Sequence, residues 1–395
     1  MKWLNQERIS VYPRIFIALY IILYLYIISP GLHGNNILDR NSIPIGADFS
    51  DFYSAATLAL SQNPAATYDF TKMRAAQVKT IGANPESIGG MVWVYPPIFL
   101  LLLLPFSFLP YFASLAIWLI TTILGYLKVL LRIAPSRQTI WLAMAFTGTF
   151  ENFIHGQNGF LSAGILGGGL LLLESHAFIG GIILGFLSFK PQLAVLIPVA
   201  LIAGRRWKAL AGASLSFLGL VLASILIMGT GVWVAFWQSI PVASKLFESG
   251  VFPIFKNGSV FYAALLAGAS FEVARTLQAI MMISVVIVVF IVWFRDISLP
   301  IRNSVLVLSI LLFTPHVYPY DFVLLALPIA WLGWQGYTKG WMPLEKLFLV
   351  IAWLLPFLIP LIGKTRLQIT PLIILILLIL ALKRCKMEKI AENYS

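Results

Sequence analysis

The chain has 395 residues, 60% of them hydrophobic and only 11% charged, with a net charge of +12 and a mean hydropathy of +0.91. Apolar runs of membrane-spanning length recur along it, which excludes a soluble globular domain and predicts an all-α polytopic membrane protein. The basic residues are dispersed between apolar spans with no stripe or aromatic interleaving, which argues against a nucleic-acid partner, and the single cysteine, Cys385, excludes a disulfide framework or a cysteine metal site.

From the N-terminus, the first apolar run, Ile15 to Ser29, follows Lys2, Arg8 and Arg14 and lacks a small-residue cleavage site, so it reads as a retained helix. The connection 30–95 holds two short amphipathic stretches, Phe52–Leu60 and Thr71–Val78, separated by the turn-forming NPAATYD. Within it, GADFSDFYSAA sets Asp48 and Asp51 one helical turn apart, a spacing suited to Asp48 as the N-cap and Asp51 as the third helical residue. Residues 96–131 begin PPIFLLLLLPFSFLP; Pro105 and Pro110 interrupt the run, so 98–109 reads as shallow or re-entrant and 111–130 as a crossing. Further crossings are expected at 139–154, 159–173, 178–190, 192–204, 207–228, 274–294, 303–314, 321–336, 346–362 and 369–382. That makes about twelve helices, or thirteen if 98–109 also crosses. A second long connection, 229–273, carries GVWVAFWQSIPVASKLFESG, a sequence suited to an interfacial helix. No internal repeat is visible, and 1–395 reads as a single membrane domain.

Segments 1–14, 128–138, 174–177, 204–208, 295–303, 337–346 and 383–395 hold most of the 27 Lys and Arg residues. The positive-inside bias places these segments, and with them both termini, in the cytoplasm. The external face then collects a polar set: Asp48 and Asp51; Glu151, His155, Gln157 and Asn158 in ENFIHGQNG; Lys190 and Gln192 in FKPQ; Asn257 in KNGS; and His316, Tyr318, Tyr320 and Asp321 in TPHVYPYD. Ionisable groups near membrane depth are expensive, so such a convergence marks a functional site. Each member also has a plain structural role open to it. The acids can cap a helix, Lys190 can snorkel to the headgroups, and Asn257 and Ser259 can shape a turn. There is no GxxxxGK[ST] phosphate loop, no HExxH and no GxSxG elbow, and the glycines of GILGGGLLLL lie inside a span, where they serve helix packing. A carboxylate that takes a proton from an attacking hydroxyl, with Lys or His stabilising a departing phosphate, would suit group transfer from a lipid-anchored donor.

The ordered series DFSDFYSAA, ATYD, YPPIFLLLLLPFSFLP, HGQNGFL, GGIILGFLSFKPQLAVLIPVALIAGRRWKAL, KNGSV and TPHVYPYDFVLL resembles glycosyltransferase family 87, across roughly residues 46 to 325. That family sits in the GT-C superfamily and includes polyprenyl-phosphate-mannose-dependent alpha-mannosyltransferases. The resemblance implies a GT-C-like helix bundle that moves a hexose, mannose in the type members, from a polyprenyl-phosphate donor to a lipid or glycan acceptor on the outer face. It carries the role of catalytic base in an inverting displacement onto Asp48. It points to acceptor-side or orienting roles for Asp51, His155, Gln157 and Asn158, and to donor phosphate or sugar binding for Lys190, Gln192, His316 and Tyr320. Such enzymes work without a nucleotide sugar or a DxD metal motif, so neither cofactor nor metal is expected. A lipid flippase or secondary transporter is the competing class, but it would place charges near the bilayer midplane and often show two related halves. A non-catalytic scaffold would leave the acids as caps alone.

Overall fold

A computed structural model describes residues 5–29, 37–82, 93–248 and 253–393; the remaining parts of the two long connections and the extreme termini lie outside the described residues. Among the described residues every regular element is helical, and the β pairing between Leu38 and Pro44 is an isolated bridge. The helices in chain order are α1 (Gln6–Ile28), α2 (Ala47–Ser61), α3 (Phe70–Ile81), α4 (Pro97–Leu103), α5 (Tyr111–Ile133), α6 (Arg137–Met144), α7 (Thr147–His155), α8 (Gly159–Leu172), α9 (Ala177–Gly185), α10 (Pro191–Ala194) and α11 (Leu196–Ala203). They continue with α12 (Trp207–Met228), α13 (Gly231–Glu248), α14 (Val260–Leu266), α15 (Phe271–Phe294), α16 (Leu299–Phe313), α17 (Ala326–Lys339), α18 (Glu345–Lys364) and α19 (Thr370–Asn393).

The chain is a polytopic membrane bundle, as its composition requires. Among the described residues five helices are long and apolar enough to cross a bilayer: α1, α5, α12, α15 and α18. Their outward faces carry rows such as Leu215, Leu218, Leu222 and Leu226 on α12, and Ile280, Ile283 and Ile287 on α15, all exposed. Rows of this kind are tolerated where lipid, not water, is the solvent.

Several expected spans are shorter or broken. The run 139–154 is divided between α6 and α7 at Ala145 and Phe146. The run 178–190 ends in a 3-10 turn, Phe186–Phe189, and 192–204 is interrupted at Val195. The run 321–336 begins in another 3-10 turn, Pro319–Leu325, before α17. Residues 98–109 form α4 and a 3-10 turn, Leu104–Phe108, too short to span, in keeping with the two prolines.

Among its described residues the first long connection carries helical pieces longer than the amphipathic pattern indicates: α2, a 3-10 turn Pro64–Tyr68 capped by Asn63, and α3 capped by Asp69. The second connection contributes α13, whose Phe236 ring packs against Tyr68 at 5.7 Å. The two long connections thus pack together over one end of the bundle. The basic segments meet at the other. Glu174 accepts from Arg206 and from Arg302, joining 174–177, 204–208 and 295–303. The buried Glu345 accepts from Arg384 at 2.5 and 2.6 Å, joining 337–346 to the C-terminal segment.

Candidate active site

Two left-handed glycines determine where α2 starts. Gly46 (φ +71) is the N-cap, so Asp48 lies inside the first turn and makes no capping bond, which corrects the capping role open to it in the sequence. A side chain at Gly46 would strike Leu115 at 2.9 Å; one at Gly156 (φ +63), in the turn between α7 and α8, would meet Phe49 Cβ at 2.7 Å. Only glycine lets the first turn of α2 rest on that second turn. Tyr111 donates its hydroxyl to Ile45 O at 2.6 Å and Trp118 Nε1 donates to Gly156 O at 3.0 Å, pinning both backbones. Phe49 and Phe52, fully buried among Phe99, Phe106 and Trp118, hold the hydrophobic face of α2 down and leave Asp48 on the polar side.

The turn Gly156–Gly159 presents Gln157 to that carboxylate. The Asn158 amide N–H (2.8 Å) and the Tyr95 hydroxyl (3.2 Å) both donate to Gln157 Oε1, so the amide's NH₂ end must face the other way. There Nε2 donates to Asp48 Oδ2 at 3.2 Å. Asn152 stabilises the turn from α7, its Oδ1 accepting from Gly159 N at 2.7 Å. Asn158 passes the network on: its Oδ1 accepts from Lys190 Nζ at 2.8 Å. Lys190 sits where the Phe186–Phe189 turn breaks before Pro191, and it also forms an ion pair with Asp321. The other Asp321 oxygen accepts from Tyr318 N at 3.1 Å, in a capping box that starts the Pro319–Leu325 turn. Gln157, Asn158, Lys190 and Asp321 are 0–5% exposed, whereas Asp48 is half-buried and open to an incoming group.

The remaining predicted residues fall around this line at different distances. His155 packs on Tyr320 (ring centroids 6.0 Å apart), which stacks on Tyr318 and lies 5.8 Å from the Lys190 ammonium. The His155 ring donates from Nδ1 to Glu151 O at 2.8 Å and is about 30% exposed. Asp51 accepts from Gln77 Nε2 on α3 at 2.7 Å, so its observed contact ties two helices of the cap together. His316 exchanges a hydrogen bond with Tyr262 (3.3 Å) beside the KNGS loop, whose Gly258 N–H donates to Val317 O at 2.9 Å. Gln192 is set apart: it accepts from Thr314 through its main chain, and no side-chain hydrogen bond to the Asp48 network exists among the described residues. Two members were not assigned a role from sequence. Asp321 was visible only as one more polar residue of PHVYPYD, and Tyr95 only as an aromatic before two prolines.

Burial pushes the Asp48 carboxyl above the ordinary range; the nearby Asp321 charge adds to this, while His155, the Gln157 hydrogen bond and Lys190 pull it down. Asp51 is pushed up further, by burial and then by Asp48, against Gln77 and Arg74. Burial lowers the His316 imidazole. A carboxylate with an elevated pKa and an open side is suited to accept a proton.

The family model for glycosyltransferase family 87 matches residues 93–315, more than half of the chain. The chain belongs to glycosyltransferase family 87. The match contains Tyr95, His155, Gln157, Asn158 and Lys190 of the site; Asp48, Tyr320 and Asp321 lie beyond its ends and join this family 87 core through the contacts described above. No curated protein and no solved structure matches the chain. As a family 87 protein with several long apolar helices, it is a membrane glycosyltransferase that brings a sugar donor and an acceptor together.

Proposed function

We propose that this transferase moves a hexose, with mannose the first candidate, from a polyprenyl-phosphate carrier to a hydroxyl of a lipid or glycan, with inversion at the anomeric carbon. The acceptor hydroxyl loses its proton to Asp48 as its oxygen attacks C1; the C1–O bond to the phosphate breaks, and the polyprenyl phosphate leaves with the electron pair. Gln157 holds the carboxylate in line for that transfer. Lys190 spends two of its three donors on Asn158 and Asp321, and the third is available to an anionic oxygen of the leaving phosphate. His316 and Tyr320 flank the donor, and Asp51 and His155 the acceptor. The reading draws on no cofactor and no metal. It places the Asp48 end of the bundle outside the cell and both termini in the cytoplasm, following the charge bias of the connecting segments.

The observation that carries the reading is the Gln157-held Asp48 at the head of a buried line ending in the Lys190–Asp321 pair. The test is a donor panel in membranes containing the full chain: polyprenyl-phosphate hexoses against the corresponding nucleotide sugars, with the anomeric configuration of the product determined by NMR. Transfer from the polyprenyl phosphate with inversion is expected. Transfer only from a nucleotide sugar, or with retention, overturns the assignment.

A further inference from the structure

At the end of the bundle remote from Asp48, a cleft of about 1030 Å³ opens between α1, the α5–α6 turn, α17 and the start of α18. It lies at the upper end of the range of small-molecule sites, about 300–1,000 Å³. Its two halves differ. The outer half carries Arg8, Arg137 and Lys346 with the ring systems of Tyr12, Trp334 and Trp341. The inner half is apolar, with Phe16, Leu130, Leu142, Phe146, Ile329 and Leu349 among its walls. No Asp or Glu lines it among the described residues.

Three features bear on the occupant. Elsewhere at this end the cations Arg206, Arg302 and Arg384 are matched by carboxylates; among the described residues Arg137 enters no ion pair, and Lys346 rests 5.0 Å from the Trp341 ring. Cations above aromatic rings above an apolar channel reproduce the layering of a membrane leaflet, with headgroup, interface and acyl chain in sequence. The apolar half also has unfilled room: a Cβ built at Gly333, on the α17 wall, meets nothing within 4 Å. The helix α1, which walls the cleft on one side, buries only Pro13. Its contacts to α6, α7 and α18 include Gln6 to Gln138, Arg14 over Trp141, Phe16 against Trp353, Tyr20 against Phe150 and Tyr24 against Phe153, and none of these reaches α17.

We propose that this cleft is a binding site for an anionic phospholipid, its phosphate held by Arg137 and Lys346 with Arg8 alongside, and an acyl chain lying past Gly333. The lipid fills the gap between α1 and the rest of the bundle. This site is separate from the transfer site and does not depend on the reading given to Asp48.

Native mass spectrometry on the full, delipidated chain in detergent tests it, with phosphatidylglycerol and phosphatidylcholine of identical acyl chains as probes. Wild type is expected to retain phosphatidylglycerol preferentially, and the Arg137→Ala, Lys346→Ala double variant to lose roughly tenfold of that preference. Gly333→Phe, which fills the apolar half and keeps the charges, is expected to lose retention of both lipids. Circular dichroism of both variants confirms the helical fold. Equal retention of the two lipids by wild type, or variants indistinguishable from it, overturns the proposal. A concentration-dependent dimer lost in Gly333→Phe, without lipid selectivity, would give the cleft to a second copy of the chain instead.

Discussion

At the scale of single residues, the proposed mechanism separates proton chemistry at Asp48 from charge pairing at Lys190 and Asp321. Asp48 has one side in the protein and one open, and burial raises its pKa, so it is deprotonated only above the pH at which an ordinary aspartate ionises, about 3.9. A base must be ionised, so the rate is expected to rise with pH through that elevated midpoint. His155 is the largest charge influence pulling the midpoint down; His155→Gln removes it, and the acid limb of the kcat/KM profile should move to higher pH. A limb that stays in place would remove His155 from the electrostatics of the base. Lys190 and Asp321 behave differently because both are buried. Lys190→Met leaves Asp321 uncompensated and should cost about 3–5 kcal/mol of stability, read as a large drop in the melting temperature. Adding Asp321→Leu should restore most of the stability and none of the transfer. Restored transfer in the double variant would show that the pair is purely structural.

At the scale of elements, the broken helices set the site. The α7–α8 turn, the Phe186–Phe189 turn before α10 and the start of the Pro319–Leu325 turn before α17 meet through Asn158, Lys190 and Asp321, and each break frees polar groups that an unbroken helix would consume. Gly156→Ala is the direct test of the contact between α2 and the first of these turns. It forces an alanine into φ +63 and its Cβ against Phe49, at a backbone cost of at least about 1 kcal/mol. The melting temperature should fall, and transfer should fall further, because Asp48 moves with α2. Unchanged transfer would mean that Asp48 need not be held against Gln157. Much of this was legible in the sequence. Pro191 after Lys190, the glycines of HGQNG and the prolines of TPHVYPYD announce interruptions, and the charge bias puts them on one face. The links within the face were not legible. Which donor fixes the Gln157 amide, and that Asp321 rather than a ligand faces Lys190, depend on side-chain geometry across segments 62 and 131 residues apart. Pattern along the chain carries no such information. The capping reading of Asp48 failed for a related reason: close contact with Leu115 and Gly156 selects glycine at the N-cap position, and the sequence spacing does not register that contact.

At the scale of the whole molecule, the two ends of the bundle carry distinct chemistry. One end gathers Asp48, Gln157, Asn158, Lys190 and Asp321 beneath the packed α2–α3 and α13 segments; the other gathers Glu174 and Glu345 with their arginines and the basic cleft. On the proposed reading, the charge bias of the connecting segments puts the second end in the cytoplasm. In a Cys385→Ser background, a cysteine at the exposed Gln62 should react with a membrane-impermeant maleimide in intact cells, and one at the exposed Lys208 only after the membrane is opened. The reverse pattern would put the site inside the cell, where the proposed donor would have to face the cytoplasm. The measurement that bears most directly on the central claim is sugar transfer by wild type and Asp48→Asn, in membranes supplied with polyprenyl-phosphate mannose and native lipid extract. Asparagine keeps the shape and a hydrogen-bonding partner for Gln157 but cannot take a proton. Transfer that falls by about 10²–10⁴ in a variant with an unchanged melting temperature is the predicted result. Transfer at the wild-type rate would contradict the account, because Asp48 would then not be the base.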